Sequence, residues 1–339
     1  MSQFQVRNDD LRSLGGQFPI GRVAPSETRS AESSSPHPYL QFKNVSIAFP
    51  SKEVLDQVSF SVFSGETVCI LGRSGVGKSV SLRILMGFLK PDSGRVITAG
   101  EDITDYSEEQ LRRIHRKVTM VFQDGALFDS LTVAENVAFP LRERGDVDEE
   151  QIDQIVDGLL DMVALRSAHD RLPSEISSGM KRSVAIARAL AAQPEGILYD
   201  EPTTMVDPLT ARHLTRLIRK LKGQLKLTSV IVTHDMKLVR QLADYVVFLD
   251  QARIAFQGTA EEIEHSAVPI VQQFLRLDYF DPKESLALER NSQAGASGNG
   301  FTESGSADSG PVILPTGSMA RAGEEPKAST ARPPVPYSS

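Results

Sequence analysis

The sequence has one cysteine, no tryptophan and no apolar stretch long enough to cross a bilayer, and each absence removes a class of protein. A lone thiol, Cys69, rules out an intramolecular disulfide and a multi-thiolate metal site, so a buried, inert side chain in a reducing compartment is expected. A membrane span needs about 18 consecutive apolar residues, and none of the runs here approaches that length. The N-terminus carries Asp9 and Asp10 and no apolar core of signal-peptide length, so no secretory signal is expected. Arg and Ser are present there as in an organellar transit peptide, but Glu27 and Glu32 join the two aspartates against that reading. Positive charge is also in deficit: 37 Lys+Arg against 44 Asp+Glu give a net charge of −7, against a general nucleic-acid binder, which needs clustered cations. Large apolar side chains are scarce at both ends. Residues 1–38 are Ser-, Pro- and polar-rich and residues 277–339 are mostly Gly, Ser, Ala and Pro, so disordered tails are expected around one compact body at 39–276.

That body is organised around Gly72-Arg73-Ser74-Gly75-Val76-Gly77-Lys78-Ser79, which fits G-x-x-x-x-G-K-[ST]. The apolar run 67–71 before it reads as a buried strand, and 79–88 after it as a helix, the context a phosphate loop requires. In such a loop successive backbone N–H groups close around phosphate oxygens, and the positive end of the following helix faces the same charge. Lys78 would reach the β- and γ-phosphates of a nucleotide, and the Ser79 hydroxyl would sit on Mg²⁺.

Before the loop, residues 40–49 alternate apolar and polar with a change of phase near Asn44, and 58–62 alternate again, as half-buried strands of an antiparallel edge sheet do. A turn at Pro91-Asp92-Ser93-Gly94 precedes Arg95-Val96-Ile97. Ser107 with Gln110 forms a capping box for a short helix, and 118–122 is a second buried strand ending at Gln123. The character then changes. Thr132 with Glu135 is another capping box, and from Asp148 the apolar residues Ile152, Ile155, Val156, Leu159, Leu160 and Val163 recur at helical spacing, so residues 124–192 read as a helical insertion. The βα alternation resumes with the runs 196–200, 229–233 and 245–249, the first followed by a helix opened by Asp207-Pro208. Near-continuous apolar runs separated by amphipathic helices mean a parallel sheet covered on both faces. The fold class is therefore α/β.

Ile197-Leu198-Tyr199-Asp200-Glu201 is an apolar strand ending in two carboxylates. A phosphate-loop ATPase needs one acid to hold Mg²⁺ and one to polarise the attacking water; Asp200 is assigned to the metal and Glu201 to the base. His234, after the strand ending in Thr233, is placed to hydrogen-bond the γ-phosphate and hold the water with Glu201. Gln123 is a candidate to ligate Mg²⁺ or orient water. Ligands gather beyond the carboxyl ends of parallel strands, so Gly72, Gln123, Asp200 and His234 are expected to converge there.

Together these residues, in this order, resemble the ATPase subunit of an ABC transporter over about residues 40–275. Ile176-Ser177-Ser178-Gly179-Met180 occupies the place of the family's LSGG-type signature and is followed by Ile186-Ala187-Arg188-Ala189-Leu190; Thr204-Met205-Val206-Asp207 stands at its D-loop. The resemblance implies a RecA-like P-loop NTPase: a parallel sheet core, an antiparallel edge sheet and a helical subdomain at about 124–192. It implies nucleotide contacts from Phe49, from residues 72–80 including Val80, from Ser177, Ser178 and Gly179, and from Asp207; Phe49, which would stack on adenine, is equally a core or edge-strand residue. It implies Mg²⁺ at Ser79, Gln123 and Asp200, and hydrolysis by Glu201, His234 and Gln123. It further implies a head-to-tail homodimer in which the signature of one subunit closes on the γ-phosphate held by the other, docked on an integral membrane permease beside Gln123.

Three departures stand out. Ser178 replaces the first glycine of the signature, Ser183 stands where the family usually has arginine, and Met205 with Val206 makes the D-loop more apolar than usual. Residues 120–133, Asn136-Val137-Ala138-Phe139-Pro140-Leu141, the continuation of the phosphate loop into Val80, and Met180 are similar to the ATPases of Mce/Mla-type lipid transporters. That likeness implies phospholipid or sterol cargo, an Mce-type lipid-binding partner and a place at the cytoplasmic face of the inner membrane. Other cargo (amino acids, lipoproteins, a drug) and a non-transport switch, as in cell division, are the rival readings. A guanine-reading [NT]-K-x-D motif is absent, which disfavours a GTPase.

Overall fold

The structure, a computed structural model, describes residues 37–50 and 52–279. The tails expected at 1–38 and 277–339 therefore lie outside the described residues, apart from 37, 38 and 277–279.

Strands β1 (Leu40–Phe49) and β2 (Lys52–Val62) pair antiparallel, and β1 also pairs with β4 (Ser93–Thr98), which carries the two-residue β5 (Glu101–Asp102). The phase change near Asn44 is a bulge. Asn44 takes φ 49° and the register slips between Phe42 and Val45, so that Leu40, Phe42, Val45 and Ile47 all face inward. These strands form a four-stranded sheet of their own, in the order β2-β1-β4-β5.

The second sheet has six strands, β10-β9-β3-β8-β7-β6. Its members are β3 (Thr67–Leu71), β6 (Val118–Val121), β7 (Gly196–Asp200), β8 (Thr228–Val232), β9 (Tyr245–Asp250) and β10 (Arg253–Gly258). Every pair from β6 to β9 is parallel, as the apolar runs predict; β10, which the sequence did not announce, is an antiparallel edge strand. Alternate residues divide the interior into two cores: Val68 and Ile70 of β3 join the core shared with the antiparallel sheet, whereas Cys69 and Leu71 join the core beneath the helical region. Burial pushes the Cys69 thiol well above its ordinary value, which leaves it inert.

Among the described residues the first helix, α1 (Lys78–Leu85), starts directly from the phosphate loop. Helices α2 (Glu108–Lys117) and α3 (Val133–Arg144) both open with the predicted capping boxes, Ser107/Gln110 and Thr132/Glu135. With α3, the helices α4 (Glu149–Met162) and α5 (Ser178–Ala191) make up the helical stretch between β6 and β7. The remaining helices are α6 (Pro208–Leu225), α7 (Met236–Leu242), α8 (Ala260–Glu264) and α9 (Pro269–Tyr279).

The segment joining Gln123 to α3 is held from inside. Asn136, with no exposed surface, accepts from Phe128 N and donates to the carbonyls of Phe128, Leu131 and Thr132 at 2.9–3.1 Å. Arg188 of α5 donates to Gly125 O and Ala126 O and lies 5.8 Å from the Phe128 ring centroid, while Phe128 stacks at 4.6 Å on Phe139 and both rings remain partly exposed.

Candidate active site

The carboxyl ends of β3, β6, β7 and β8 meet at a cavity of about 320 Å³. Of the predicted residues, Ser74, Gly75, Gly77, Lys78, Ser79, Val80, Gln123, Glu201 and His234 line it. A larger cavity of about 620 Å³ opens beside Phe42, Phe60 and Phe63, away from these strand ends, and holds no cluster of catalytic side chains.

The phosphate loop has its shape because glycine allows it. Gly72 and Gly77 take φ 149° and 109°, and a Cβ on them would meet Leu249 O at 2.4 Å and Val54 O at 2.8 Å; Gly75, at φ 77°, faces open space. Lys78 is buried, with its ammonium curled back to donate to Gly72 O at 2.9 Å and Arg73 O at 3.1 Å. Arg73 itself points outward and donates to the Gln273 side chain at 2.8 Å.

Ser79 Oγ donates to Asp200 Oδ1 at 2.8 Å, and burial raises the Asp200 carboxyl above its ordinary value against the pull of that hydrogen bond. A hydroxyl and a carboxylate held together beside a phosphate cradle form the hard-oxygen set that Mg²⁺ takes when substrate phosphates supply further ligands. Among the described residues no group of three or more His, Cys, Asp or Glu is placed to hold a metal by itself.

Glu201 is fixed from three sides. His234 Nδ1 lies 2.9 Å from Oε2, Thr204 Oγ1 donates to Oε2 at 2.7 Å, and Lys78 Nζ stands 3.4 Å from Oε1. Its backbone is in the left-handed region at φ 48°, unusual for a residue with a side chain, and its N–H is tied to Val232 O at 2.9 Å. Burial works against ionisation of this carboxyl, but the hydrogen bonds from His234 and Thr204, aided by the charges of His234 and Lys78, bring it below its ordinary value. The same hydrogen bond raises His234. The histidine turn is itself braced: Thr233 Oγ1 accepts from Asp235 N, and Asp235 caps α7 through Lys237 N and Leu238 N.

Residues 55–204 match the ABC transporter family. The chain is 37% identical over 237 residues to the intermembrane phospholipid transport ATP-binding protein MlaF of Haemophilus influenzae, covering 70% of this chain and 90% of that one. This chain belongs to the ABC transporter ATP-binding family. MlaF of Escherichia coli K12 is 36% identical over 236 residues, 70% of this chain and 88% of its own length. The methionine import ATP-binding protein MetN of Brucella abortus is equally similar, 36% over 241 residues, 71% of this chain and 65% of MetN. Among solved structures, the ATP-binding cassette MJ0796 in a dimeric post-hydrolysis state with ADP and phosphate is 32% identical, with a TM-score of 0.62 over 65% of this chain and 98% of that one.

Not every nucleotide contact expected of this ABC ATPase lies at the cavity. Phe49, at the end of β1, is 43% exposed and does not line it; Val54 does. Ser177, Ser178 and Gly179 are not part of it either. Ser177 caps α5 by accepting from Met180 N at 3.3 Å, and Ser177 and Ser178 are exposed. Gly179 is buried, and a Cβ on it would meet Thr210 Cγ2 of α6 at 2.2 Å, so this glycine is required by helix packing, whereas the position of Ser178 tolerates a side chain. Asp207 caps α6 by accepting from Leu209 N and Thr210 N, both at 3.0 Å. Beside it Met205 and Leu209 stand 85% and 70% exposed. Thr204, read in sequence only as part of the D-loop, holds Glu201; it falls three residues after it, a turn spacing that signals the contact. Arg182, which donates to Gln123 O and Thr204 O, was not singled out and carries no such local signal.

Proposed function

We propose that this ABC ATPase hydrolyses ATP with Glu201 as the acceptor for the attacking water and drives phospholipid or sterol transport between envelope membranes. The observation that carries the hydrolytic part is the clamp on Glu201 by His234 and Thr204 at the mouth of the phosphate loop. Water attacks the γ-phosphorus, the bond from that phosphorus to the bridging β–γ oxygen breaks, ADP leaves, and the water's proton passes to the Glu201 carboxylate. The transition state of such a transfer is loose, so an ionised carboxylate that orients water suffices, and the depressed Glu201 value keeps it ionised. Lys78 turns from Glu201 and the loop carbonyls to the phosphates when nucleotide enters. Mg²⁺, held by Ser79, Asp200 and Gln123, would neutralise charge on the phosphates. Phe49 is assigned to the adenine edge.

Ser177, Ser178, Gly179 and Asp207 serve a second copy of the chain, paired head to tail. Their absence from this subunit's own cavity and the exposed Met205 and Leu209 beside them support that reading. Among the described residues no helix is long and apolar enough to cross a membrane. Coupling to transport is assigned to a separate permease, seated against the exposed Phe128 and Phe139 at the cytoplasmic face of the inner membrane. The likeness to MlaF favours lipid cargo and an Mce-type lipid-binding partner; the equal identity to MetN favours, as a second reading, an amino-acid importer.

Extraction from native membranes in mild detergent, followed by identification of the proteins and lipids that accompany the tagged chain, tests this. A multi-span permease with an Mce-domain protein and bound phospholipid or sterol is expected. A permease with an amino-acid-binding protein would overturn the lipid reading, and a purely soluble partner would overturn transport.

A further inference from the structure

Arg182 is buried, 5% exposed, and makes no ion pair among the described residues. It lies in the second turn of α5, the helix that Ser177 opens. Its guanidinium instead ends on two backbone carbonyls from different loops: Nε donates to Gln123 O at 3.0 Å, and an Nη donates to Thr204 O. Thr204 is the residue whose hydroxyl holds Glu201. Burying a guanidinium with no carboxylate in direct contact is costly: burial pulls its ionisation down, and the charge of Asp124 offsets that only in part. A methionine or leucine would fill the same space with no charge to bury but would leave both carbonyls without this donor, so what the arginine adds is the link between the two loops. The neighbouring Ser183 stands where the family usually has arginine; of the two adjacent cations here, Lys181 and Arg182, it is Arg182 that is buried against the two carbonyls.

We propose that Arg182 is a positioning residue for hydrolysis in its own subunit, tying the Gln123 loop and the Thr204–Glu201 turn to the helix that Ser177 opens. Because the guanidinium is a rigid fork, displacement of α5 moves both carbonyls together. Engagement of Ser177 by the nucleotide of the other copy is thereby transmitted along one side chain to this subunit's Gln123 and Glu201. This rests on the reading of Glu201 as water acceptor and of Ser177 as serving a paired copy.

The full-length chain carrying Arg182→Gln tests it against Arg182→Lys, Thr204→Val and Glu201→Gln. Arg182→Gln is expected to lower kcat about tenfold or more with KM within about twofold, since a misplaced catalytic group loses rate while binding is retained. The His234 ring signals in NMR are expected to shift towards those of Glu201→Gln, a change that loss of packing alone would not produce. Arg182→Lys, which keeps charge but cannot span two acceptors, is expected to restore less than half of the lost rate. Thr204→Val keeps the carbonyl but not the hydroxyl and should reproduce the rate and NMR effects; the double variant Arg182→Gln/Thr204→Val should then be no slower than the slower single. Unchanged kcat and unchanged His234 signals in folded Arg182→Gln would overturn the proposal, as would fully additive losses in the double variant. Parental hydrolysis by Glu201→Gln would overturn the water-acceptor reading instead, whatever Arg182 does. Should Arg182→Gln fail to fold, Arg182→Lys decides: parental kcat and unchanged His234 signals in that variant would overturn the proposal.

Discussion

The nucleotide cavity and the signature edge of this ABC ATPase are built on opposite plans. At the cavity the polar groups already have partners: Lys78 has two carbonyls and Glu201, Ser79 has Asp200, and Glu201 has His234 and Thr204. At the signature edge Ser177 and Asp207 do no more than cap their helices, and the large apolar side chains of Met205 and Leu209 face outward. The first region has its polar side chains paired within one chain; the second spends its polar side chains on helix ends and turns large apolar ones outward.

Breaking the cavity should have the largest effect. Glu201→Gln is expected to keep ATP binding and to lose about 10²–10⁴-fold in hydrolysis, measured as phosphate release beside nucleotide affinity. Parental turnover would remove the base assignment. The signature edge divides more finely: Gly179→Val, forced against Thr210, should destabilise the fold by about 1–3 kcal/mol in denaturant unfolding, whereas Ser178→Gly should stay within about 1 kcal/mol. Equal stability for both would mean that α5 and α6 yield more easily than their contact suggests. Met205→Glu should weaken ATP-dependent pairing of the Glu201→Gln form by about tenfold, read by sedimentation, and leave monomer stability within about 0.5 kcal/mol. A pairing constant untouched by this change would take the D-loop out of the interface.

The smallest effect is a titration. His234 is raised above its ordinary 6.5 by its bond to Glu201, so the charged pair contributes fully below 6.5 and is lost as pH rises through the raised value. In NMR its midpoint should fall back in Glu201→Gln, and an unmoved midpoint would separate the two side chains in solution.

What the sequence announced and what it hid follow a physical line. The phosphate loop, the capping boxes at Ser107 and Thr132, and the bulge at Asn44 were legible because each is decided within a few residues, by glycine conformation, by side chain to backbone capping or by the period of a strand. Of the four residues expected to converge, Gln123 and His234 line the cavity because parallel strands deliver their carboxyl ends to one edge, whereas Gly72 and Asp200 lie behind it, bonded to the lining residues Lys78 and Ser79. Contacts between distant segments were not: Arg182 meets Gln123 across 59 positions, and Gly179 meets Thr210 of another helix. Asp207 was read both as a helix opener and for a nucleotide and Ser177 for a nucleotide alone; in the single chain both are helix caps, since one serine or aspartate side chain serves either use.

The amide of Asn136 has a kinetic consequence. Four hydrogen bonds from one buried side chain hold the stretch from Phe128 to Thr132 in a single arrangement before any other molecule approaches. On the proposed reading, a permease settling on Phe128 and Phe139 would meet a surface whose ordering entropy was lost when the chain folded, and association would need no slow rearrangement on this side. Asn136→Ala would return that freedom to the loop, and the loss would be felt in how often an encounter succeeds before it is felt in how long the complex lasts.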